Sequence, residues 1–147
     1  MKGYTFRNYN KEHMARAVGA ALPISFKQSV EISSFIRNKN LGKAKKLLQD
    51  VIAKKAAVPF KRYNWDLGHK RKIGPGRYPE KASMHFLALI EAVESNAQFK
   101  GLNTSNLNIA HVSSHKAAKA PHYGRKSGRK MKRTNVEIVV EERAKQK

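Results

Sequence analysis

The sequence predicts an α+β fold. Three segments, residues 25–37, 41–52 and 79–100, repeat apolar residues at the three- and four-residue spacing of an amphipathic helix. Two later segments, residues 107–111 and 136–141, alternate apolar and polar residues as half-buried strands do. A chain of 147 residues can bury one modest core, so we expect a single domain.

The first two helices are predicted by their apolar faces and are separated by Asn38-Lys39-Asn40. Ser25 and Gln28, at the start of the first helix, have the spacing of a capping box, in which two side chains satisfy free amide groups. The predicted core faces are Phe26, Ile32, Phe35 and Ile36 in the first helix, and Leu41, Ala44, Leu47, Leu48, Val51 and Ile52 in the second.

Residues 58–78 mix Gly, Pro, aromatic and basic residues without a sustained period, which predicts an irregular loop. The third helix is expected to begin at Pro79 and Glu80, because proline lacks the amide hydrogen that is free there and a carboxylate stabilises the positive end of the helix dipole. Gly101 is the expected stop. The predicted core face of this helix is Ala82, Phe86, Leu89, Ile90, Val93 and Ala97.

A basic segment, residues 113–133, separates the two predicted strands. It has 21 residues, eight of them Lys or Arg and none acidic, and is far longer than an ordinary hairpin loop. Either it continues the hairpin as an arm, with each leg reaching roughly 30 Å, or it is a disordered basic loop. A short strand around Met14 to Gly19 would complete a small sheet. The alternating positions are Leu107, Ile109 and His111 in one strand, and Val136, Ile138 and Val140 in the other.

The charge of the chain indicates a polyanionic partner. Lys and Arg total 31 against 10 Asp and Glu, a formal charge of +21. Such a chain repels itself, and neutralised phosphates would release condensed cations, so nucleic acid is favoured and a membrane surface is the weaker alternative. No stretch approaches the ~20 apolar residues of a membrane span, which predicts no membrane insertion and a soluble, intracellular protein.

The basic residues form two clusters, and planar side chains lie among the cations of the first. Such a mixture suits RNA, because aromatic rings stack on unpaired bases while cations hold the backbone. For Trp65 alone, packing against the body is slightly favoured. The loop cluster is Lys61, Arg62, Lys70, Arg71, Lys72 and Arg77, with Tyr63, Trp65, His69 and Tyr78 among them. The arm cluster is Lys116, Lys119, Arg125, Lys126, Arg129, Lys130, Lys132 and Arg133.

Two further features have a less specific interpretation. Lys43, Lys45, Lys46 and Lys54 of the second helix form either a solvated face or a stripe facing RNA. His111 and His115 are four apart on a predicted strand without an acidic neighbour, so a metal site is not expected. No residues are arranged as a catalytic set, and the absence of Cys excludes disulfides and thiolate zinc sites. We expect no enzyme activity, cofactor, metal or small-molecule substrate.

The order of several motifs resembles the archaeal and eukaryotic type of the universal large-subunit ribosomal protein twenty-two family, called protein seventeen in eukaryotes. The resemblance extends from about Ser25 to Glu142, and the short chain favours an archaeal source. The motifs are Gly42-Lys43-Ala44-Lys45-Lys46-Leu47-Leu48, Val58-Pro59-Phe60-Lys61-Arg62-Tyr63-Asn64, Gly76-Arg77-Tyr78-Pro79, residues 94–102, Gly128-Arg129, Lys132-Arg133-Thr134 and the strand from Val136 to Glu142.

The resemblance implies one domain over residues 1–147, with three helices packed on a small antiparallel sheet and one long protruding β-hairpin at about 110–135. It implies a structural protein of the cytoplasmic large ribosomal subunit that binds rRNA, aids assembly and lines the peptide exit tunnel. The partners would be large-subunit rRNA, neighbouring large-subunit proteins near the tunnel exit and the nascent polypeptide. The rRNA contacts would come from both clusters with Tyr63 and Trp65, and the hairpin tip would be Arg125, Lys126, Ser127, Gly128, Arg129 and Lys130.

Two other classes of function fit parts of the sequence. A free, chromatin-like nucleic-acid-binding protein would use the basic segment to wrap duplex DNA. A basic hydrolase acting on RNA would need a general base, and none is recognisable in the sequence.

Overall fold

The computed structural model describes residues 4–143, which form six strands and three α-helices. Single 3₁₀ turns lie at Thr104–Asn106 and Gly124–Lys126. The strands and helices, in chain order, are β1 (Met14–Leu22), α1 (Phe26–Ile36), α2 (Leu41–Ile52), β2 (Val58–Pro59), β3 (His69–Lys70), β4 (Gly74–Arg77), α3 (Glu80–Phe99), β5 (Leu107–Lys116) and β6 (Thr134–Glu142).

The main sheet is antiparallel, with strand order β1-β6-β5. Helices α1 and α3 pack on one face of it, α1 over β5 and α3 over β1, and α2 packs against α3. The predicted α+β class, with three helices on a small antiparallel sheet, is therefore confirmed. The short first strand is present as well, and it runs three residues further than predicted, to Leu22.

The apolar faces of the helices meet the sheet in one core. Ile32, Leu48, Phe86 and Ile90 are fully buried, as their helical spacing predicts. Leu89 is only half-buried, so its assignment to the core face is corrected. It lies at the edge of the helix–sheet interface, where its Cδ1 would be 3.0 Å from a Cβ added to Gly19.

The helices begin and end close to the predicted residues, but the predicted side-chain contacts at their ends are not all present. Ser25 directly precedes α1, yet its side chain makes no capping hydrogen bond, so the predicted capping box is wrong. Its carbonyl oxygen instead accepts from the amide and hydroxyl of Ser29, at 2.9 and 2.8 Å. Helix α3 begins after Pro79, and Gly101 follows it with φ +75°, a conformation that glycine adopts without strain.

A β-bulge at Ala110 changes which residues of β5 face the core. The register shifts between Ile109 and His111, so that His111 pairs with Val139. Val112 is therefore the next fully buried residue after Ile109. The simple alternation that placed His111 beside Ile109 is corrected, because one extra residue reverses the faces of the strand.

The segment at 58–78 is also corrected, since it is not wholly irregular. Strands β2, β4 and β3 form a second small antiparallel sheet in that order. Gly76 allows its close packing, because an added Cβ would be 3.0 Å from Ile73 Cδ1 and 3.3 Å from the Val58 carbonyl oxygen. Strands of two to four residues are too short to show a period in sequence.

Residues 4–13 cover the face of the main sheet that the helices leave open. The buried carboxylate of Glu137 accepts hydrogen bonds from the Thr5 hydroxyl (2.6 Å), the Thr5 amide (2.9 Å) and the Phe6 amide (3.3 Å). The rings of Phe6 and His111 stack with centroids 4.9 Å apart. The Arg16 guanidinium lies 3.8 Å from the centroid of the Tyr4 ring and 4.2 Å from that of Tyr9. We call this segment the N-terminal strap.

The two legs of the basic segment lie side by side beyond the paired ends of β5 and β6. Backbone amides donate across the legs from Ala117 to the Arg133 carbonyl (3.1 Å), from Met131 to Ala120 (2.8 Å) and from His122 to Arg129 (2.8 Å). These hydrogen bonds fit a continued hairpin. A protruding arm at about 110–135 stays a prediction, as does the single domain over 1–147, whose two ends lie outside the described residues.

Candidate nucleic-acid interface

The start of the loop cluster is fixed to α1 by a buried carboxylate. Glu31, 1% exposed, accepts the backbone amides of Lys61 (3.1 Å), Arg62 (2.8 Å) and Tyr63 (3.0 Å). A carboxylate that accepts several amide hydrogens is a strong anchor. The backbone is thus held inward while the side chains of Lys61 and Arg62 stay exposed.

The two large aromatic residues of this loop have opposite environments. Tyr63 is half-buried against the core, and its ring meets that of Phe26 edge-on at 6.4 Å. Trp65 is 84% exposed. The interpretation that Trp65 packs the loop against the body is therefore wrong, while for Tyr63 it holds.

Trp65 borders a cleft where three distant parts of the chain meet. The cleft has a volume of about 290 Å³. It joins the first turn of α1, the loop at 58–78 and the returning leg of the basic segment. We call it the Trp65 cleft, and its lining residues are Ser25, Lys27, Gln28, Phe60, Tyr63, Trp65, Leu67, Arg77 and Lys132.

A second cavity, of about 380 Å³, lies next to it at the base of the legs. Lys27 and Lys132 line both cavities, so Arg77 of the loop cluster and four residues of the arm cluster border one connected basic surface around the start of α1. Lys116 Nζ lies 5.5 Å from the centroid of the Phe26 ring in this region. The lining residues are Ser25, Phe26, Lys27, Lys116, Lys119, Lys132 and Arg133.

A third cavity, of about 530 Å³, lies at the far end of the basic segment. It is lined by His122, Tyr123, Gly124, Arg125, Lys126 and Arg129. Tyr123 is 88% exposed there. An exposed ring among cations is the same pairing that Trp65 makes with Arg77 and Lys132.

Several predicted residues lie outside these cavities. Lys70 Nζ lies 5.6 Å from the centroid of the Tyr78 ring, and Arg71 and Lys72 occupy the exposed turn between β3 and β4. Arg133 lines the second cavity, but its guanidinium also donates to the Ala21 carbonyl at 3.0 Å. Part of its role is therefore to join the leg to β1.

Several residues that line the cavities were not predicted as contributors to binding, among them four at the start of α1. Ser25, Phe26, Lys27 and Gln28 line the cavities because α1 begins there. Lys27 is a single lysine between Phe26 and Gln28, so the sequence does not mark it as part of a binding surface. Its position beside Lys132 depends on contacts across more than a hundred residues.

Four acidic side chains are engaged in contacts within the fold, whereas Asp66, next to Trp65, is exposed. Glu31 and Glu137 are buried and bind backbone amides. Glu94 pairs with Lys45, and Glu80 pairs with Lys54 at 3.1 Å. Lys45 of α2 and Lys54, just after that helix, are thus engaged with α3, which leaves Lys43 and Lys46 of the predicted stripe exposed and outside the salt bridges of the described residues.

The pKa values of two groups beneath the N-terminal strap are shifted. Burial lowers the pKa of His111, and the nearby Glu137 charge only partly opposes this. Burial alone would raise the pKa of Glu137, but the hydrogen bonds from Thr5 and Phe6 bring it below its ordinary value. These two groups lie outside the three cavities.

The described residues contain neither a cluster of possible metal ligands nor a membrane-spanning helix. No three His, Asp or Glu side chains come together as a possible metal site within residues 4–143. No described helix is long and apolar enough to cross a bilayer.

The fold and this surface define a class of protein, a small basic α+β domain with cations gathered on one face. The sequence profile of the family described as ribosomal protein L22p/L17e matches residues 17–141. The chain belongs to this family, and the resemblance seen in the sequence is confirmed.

Archaeal relatives match almost the whole chain. Large ribosomal subunit protein uL22 of Archaeoglobus fulgidus is 39% identical, over 95% of this chain and 96% of its own. The proteins of that name from Methanoculleus marisnigri and Thermoplasma volcanium are 41% and 40% identical, over 89% and 97% of this chain and 91% and 98% of theirs. These relatives support the archaeal and eukaryotic type of the family.

Proposed function

We propose that this chain is a structural constituent of the large ribosomal subunit in the cytoplasm, where it binds rRNA and aids subunit assembly, and that it is not an enzyme. The observation that carries this proposal is the continuous basic surface formed by α1, the loop at 58–78 and the basic segment. Family membership supports it, as do relatives that bear the name of a large-subunit protein.

The rRNA contacts are assigned to the two clusters and the aromatic residues among them. Phosphates neutralise Lys61, Arg62, Lys70, Arg71, Lys72 and Arg77 on the loop, and the arm cluster on the two legs. Tyr63, which packs against the core, forms part of the wall of the Trp65 cleft. The continuous surface fits several rRNA segments that converge on one protein face.

The basic segment is assigned to the wall of the peptide exit tunnel. Its tip, residues 125–130, is exposed throughout and has no acidic residue, so it suits a path between phosphates. On this proposal the tip residues Arg125, Lys126, Ser127, Gly128, Arg129 and Lys130 meet the nascent polypeptide. The hydrogen bonds between the legs hold them side by side, so that the segment points one way before rRNA surrounds it.

Protein neighbours are assigned to the solvent face of α3. From Ala82 to Phe99 the helix has no Lys or Arg, whereas Met84 and Phe99 are 53% and 95% exposed. The adjacent Lys100 turns inward, and its Nζ binds the carbonyls of Lys11 (3.0 Å) and Met14 (2.9 Å). A face without cations suits RNA poorly. It fits a basic large-subunit protein that offers apolar groups to Phe99 and a cation to Glu91.

A photo-crosslinking side chain in place of Phe99, compared with the same group in place of Arg125, tests this assignment in purified large subunits. We expect position 99 to crosslink to a basic protein and position 125 to rRNA. Crosslinks from position 99 to rRNA would contradict the protein-facing assignment.

Co-sedimentation tests the proposed function itself. A tagged copy of this chain should travel with large subunits at moderate salt and leave a small free pool. The free protein should bind RNA with an affinity that falls with salt by roughly 0.7 to 0.9 log units per neutralised phosphate. Sedimentation with DNA after ribonuclease treatment would favour the chromatin-like alternative and overturn the proposal.

A further inference from the structure

We infer that the Trp65 cleft holds one unpaired RNA nucleotide, with its base stacked on the Trp65 indole. This inference rests on the proposed function, because it specifies the kind of RNA that one part of the basic surface takes.

Trp65 is presented to solvent from an anchored support. Its side chain is 84% exposed, although the neighbouring chain is fixed by the three amide hydrogen bonds to Glu31. Tyr63, two residues earlier, packs against the core. The indole therefore follows an anchored stretch of backbone, residues 61–63, and leaves a large apolar face open to solvent. An aromatic face held in this way is the platform on which single-stranded nucleic acids stack their bases.

The rest of the cleft supplies what a nucleotide needs besides stacking. Lys27, Arg77 and Lys132 come from three separate chain segments and can hold a phosphate from different sides. Ser25 and Gln28 offer a hydroxyl and an amide for the edge of a base. The Ser25 hydroxyl makes no capping hydrogen bond to α1, so it is available for this contact.

The size and chemistry of the cleft favour an unpaired nucleotide over a duplex. Bases inside a duplex are already stacked and cannot present a face to the indole, whereas a base in a loop or bulge can be splayed out. The volume of about 290 Å³ suits one small planar group and not a length of strand. Duplex RNA would still bind through phosphate contacts elsewhere on the basic surface.

Intrinsic fluorescence tests this directly, because Trp65 is the single tryptophan of the chain. The full-length protein is titrated with a short single-stranded RNA and with a duplex of the same sequence, and binding is followed separately by the anisotropy of labelled RNA. We expect the single strand to quench most of the Trp65 emission, and the duplex to bind with little quenching.

Matched substitutions give a second readout. Trp65→Ala should weaken single-strand binding roughly 5- to 100-fold, the usual range for loss of one stacked base, with a much smaller effect on the duplex. Trp65→Phe should retain most of the affinity. Phe99→Ala, which removes another exposed ring outside the cleft, should leave both affinities unchanged, and circular dichroism should show all variants folded.

The outcomes separate this inference from the proposed function. RNA binding with unchanged Trp65 emission, equal quenching by duplex and single strand, or full affinity in Trp65→Ala would overturn the inference and leave the proposed function standing. Failure of the unmodified protein to bind either RNA would overturn both.

Discussion

The buried side chain of Glu31 positions part of the candidate interface through backbone hydrogen bonds, without itself reaching the surface. It accepts the amides of Lys61, Arg62 and Tyr63, and so orders the start of the loop cluster. Glu31→Gln removes the charge and one acceptor, and should lower the free energy of unfolding by about 2 kcal/mol, since hydrogen bonds to charged groups contribute about 1.5 to 3. Urea denaturation measures this change.

The matched control for Glu31→Gln is Glu91→Gln, at an exposed position on α3. That change should stay within about 0.5 kcal/mol, as is usual for surface substitutions. Equal stability losses in the two variants would show that the Glu31 contacts contribute little.

His111 and Glu137 should make the N-terminal strap sensitive to acid. Both have a pKa below the ordinary value in the folded protein, so each contributes stability above its unfolded pKa and loses it as pH falls through its folded pKa. The loss should begin below about pH 6.5 with His111 and continue below the ordinary range of Glu, about 4.3, with Glu137. Amide exchange at Thr5 and Phe6 between about pH 7 and about pH 3, corrected for intrinsic exchange rates, measures it.

Two variants separate the contributions to this pH dependence. Glu137→Gln should flatten the more acidic part of the profile, and His111→Phe should flatten the part near pH 6 while it keeps the ring contact with Phe6. An unchanged profile in both variants would exclude these groups as its cause.

At the scale of single elements, helix α3 offers a test of the core. Ile90 is fully buried and Leu89 is half-buried at the edge, although they are neighbours in sequence. Ile90→Ala should cost about 2 to 5 kcal/mol, whereas Leu89→Ala should cost clearly less, because part of its side chain is already in water. Thermal unfolding of the two variants gives the comparison, and equal losses would show that the face of α3 is misassigned.

The basic segment should be separable from the body. Residues 117–133 carry seven cations and, within the legs, little apolar surface, so replacement by an Asn-Gly turn between Lys116 and Thr134 should leave the body folded. Free protein should be cleaved by trypsin between Lys116 and Arg133 well before α2, where Lys43, Lys45 and Lys46 are also possible cleavage sites. A shortened variant that cannot fold, or early cleavage within α2, would contradict this separation.

The elements that the sequence predicted correctly are those whose signal is local. Helices α2 and α3 repeat apolar residues over many turns, and β6 alternates over its length, so each pattern is complete within its own segment. The bulge at Ala110, the sheet formed by β2, β3 and β4, and the N-terminal strap were missed. The bulge and the strap depend on partners far away in sequence, such as Val139 for His111 or Glu137 for Thr5, whereas the strands of the small sheet are too short to show a period.

The candidate nucleic-acid interface, like the fold, was predicted from the sequence only in part. The arm cluster was identified because a block without acids is visible in sequence, and the loop cluster because its cations are interleaved with aromatic residues. The sequence could not predict that these cations come together, since Lys27, Arg77 and Lys132 meet only after α1, the loop and the leg are folded. The exposure of Trp65 was also beyond the sequence, because the same aromatic residue serves equally well in a core.

At the scale of the whole molecule, the formal net charge of +21 is distributed unevenly over the surface. Cations meet on one side, around the start of α1, and the outer face of α3 carries none between Ala82 and Phe99. The protein therefore has one surface suited to phosphates and another suited to a protein. Such two-sidedness is what a component placed between rRNA and neighbouring proteins requires.

A cryo-electron microscopy map of the large ribosomal subunit from cells that produce this chain would show directly where the protein lies. We expect the chain in that map with rRNA against the Trp65 cleft and both legs of the basic segment, and with residues 125–130 at the wall of the exit tunnel. A map that lacks the chain, or that places the basic segment on the outer surface of the particle, would contradict the proposed function.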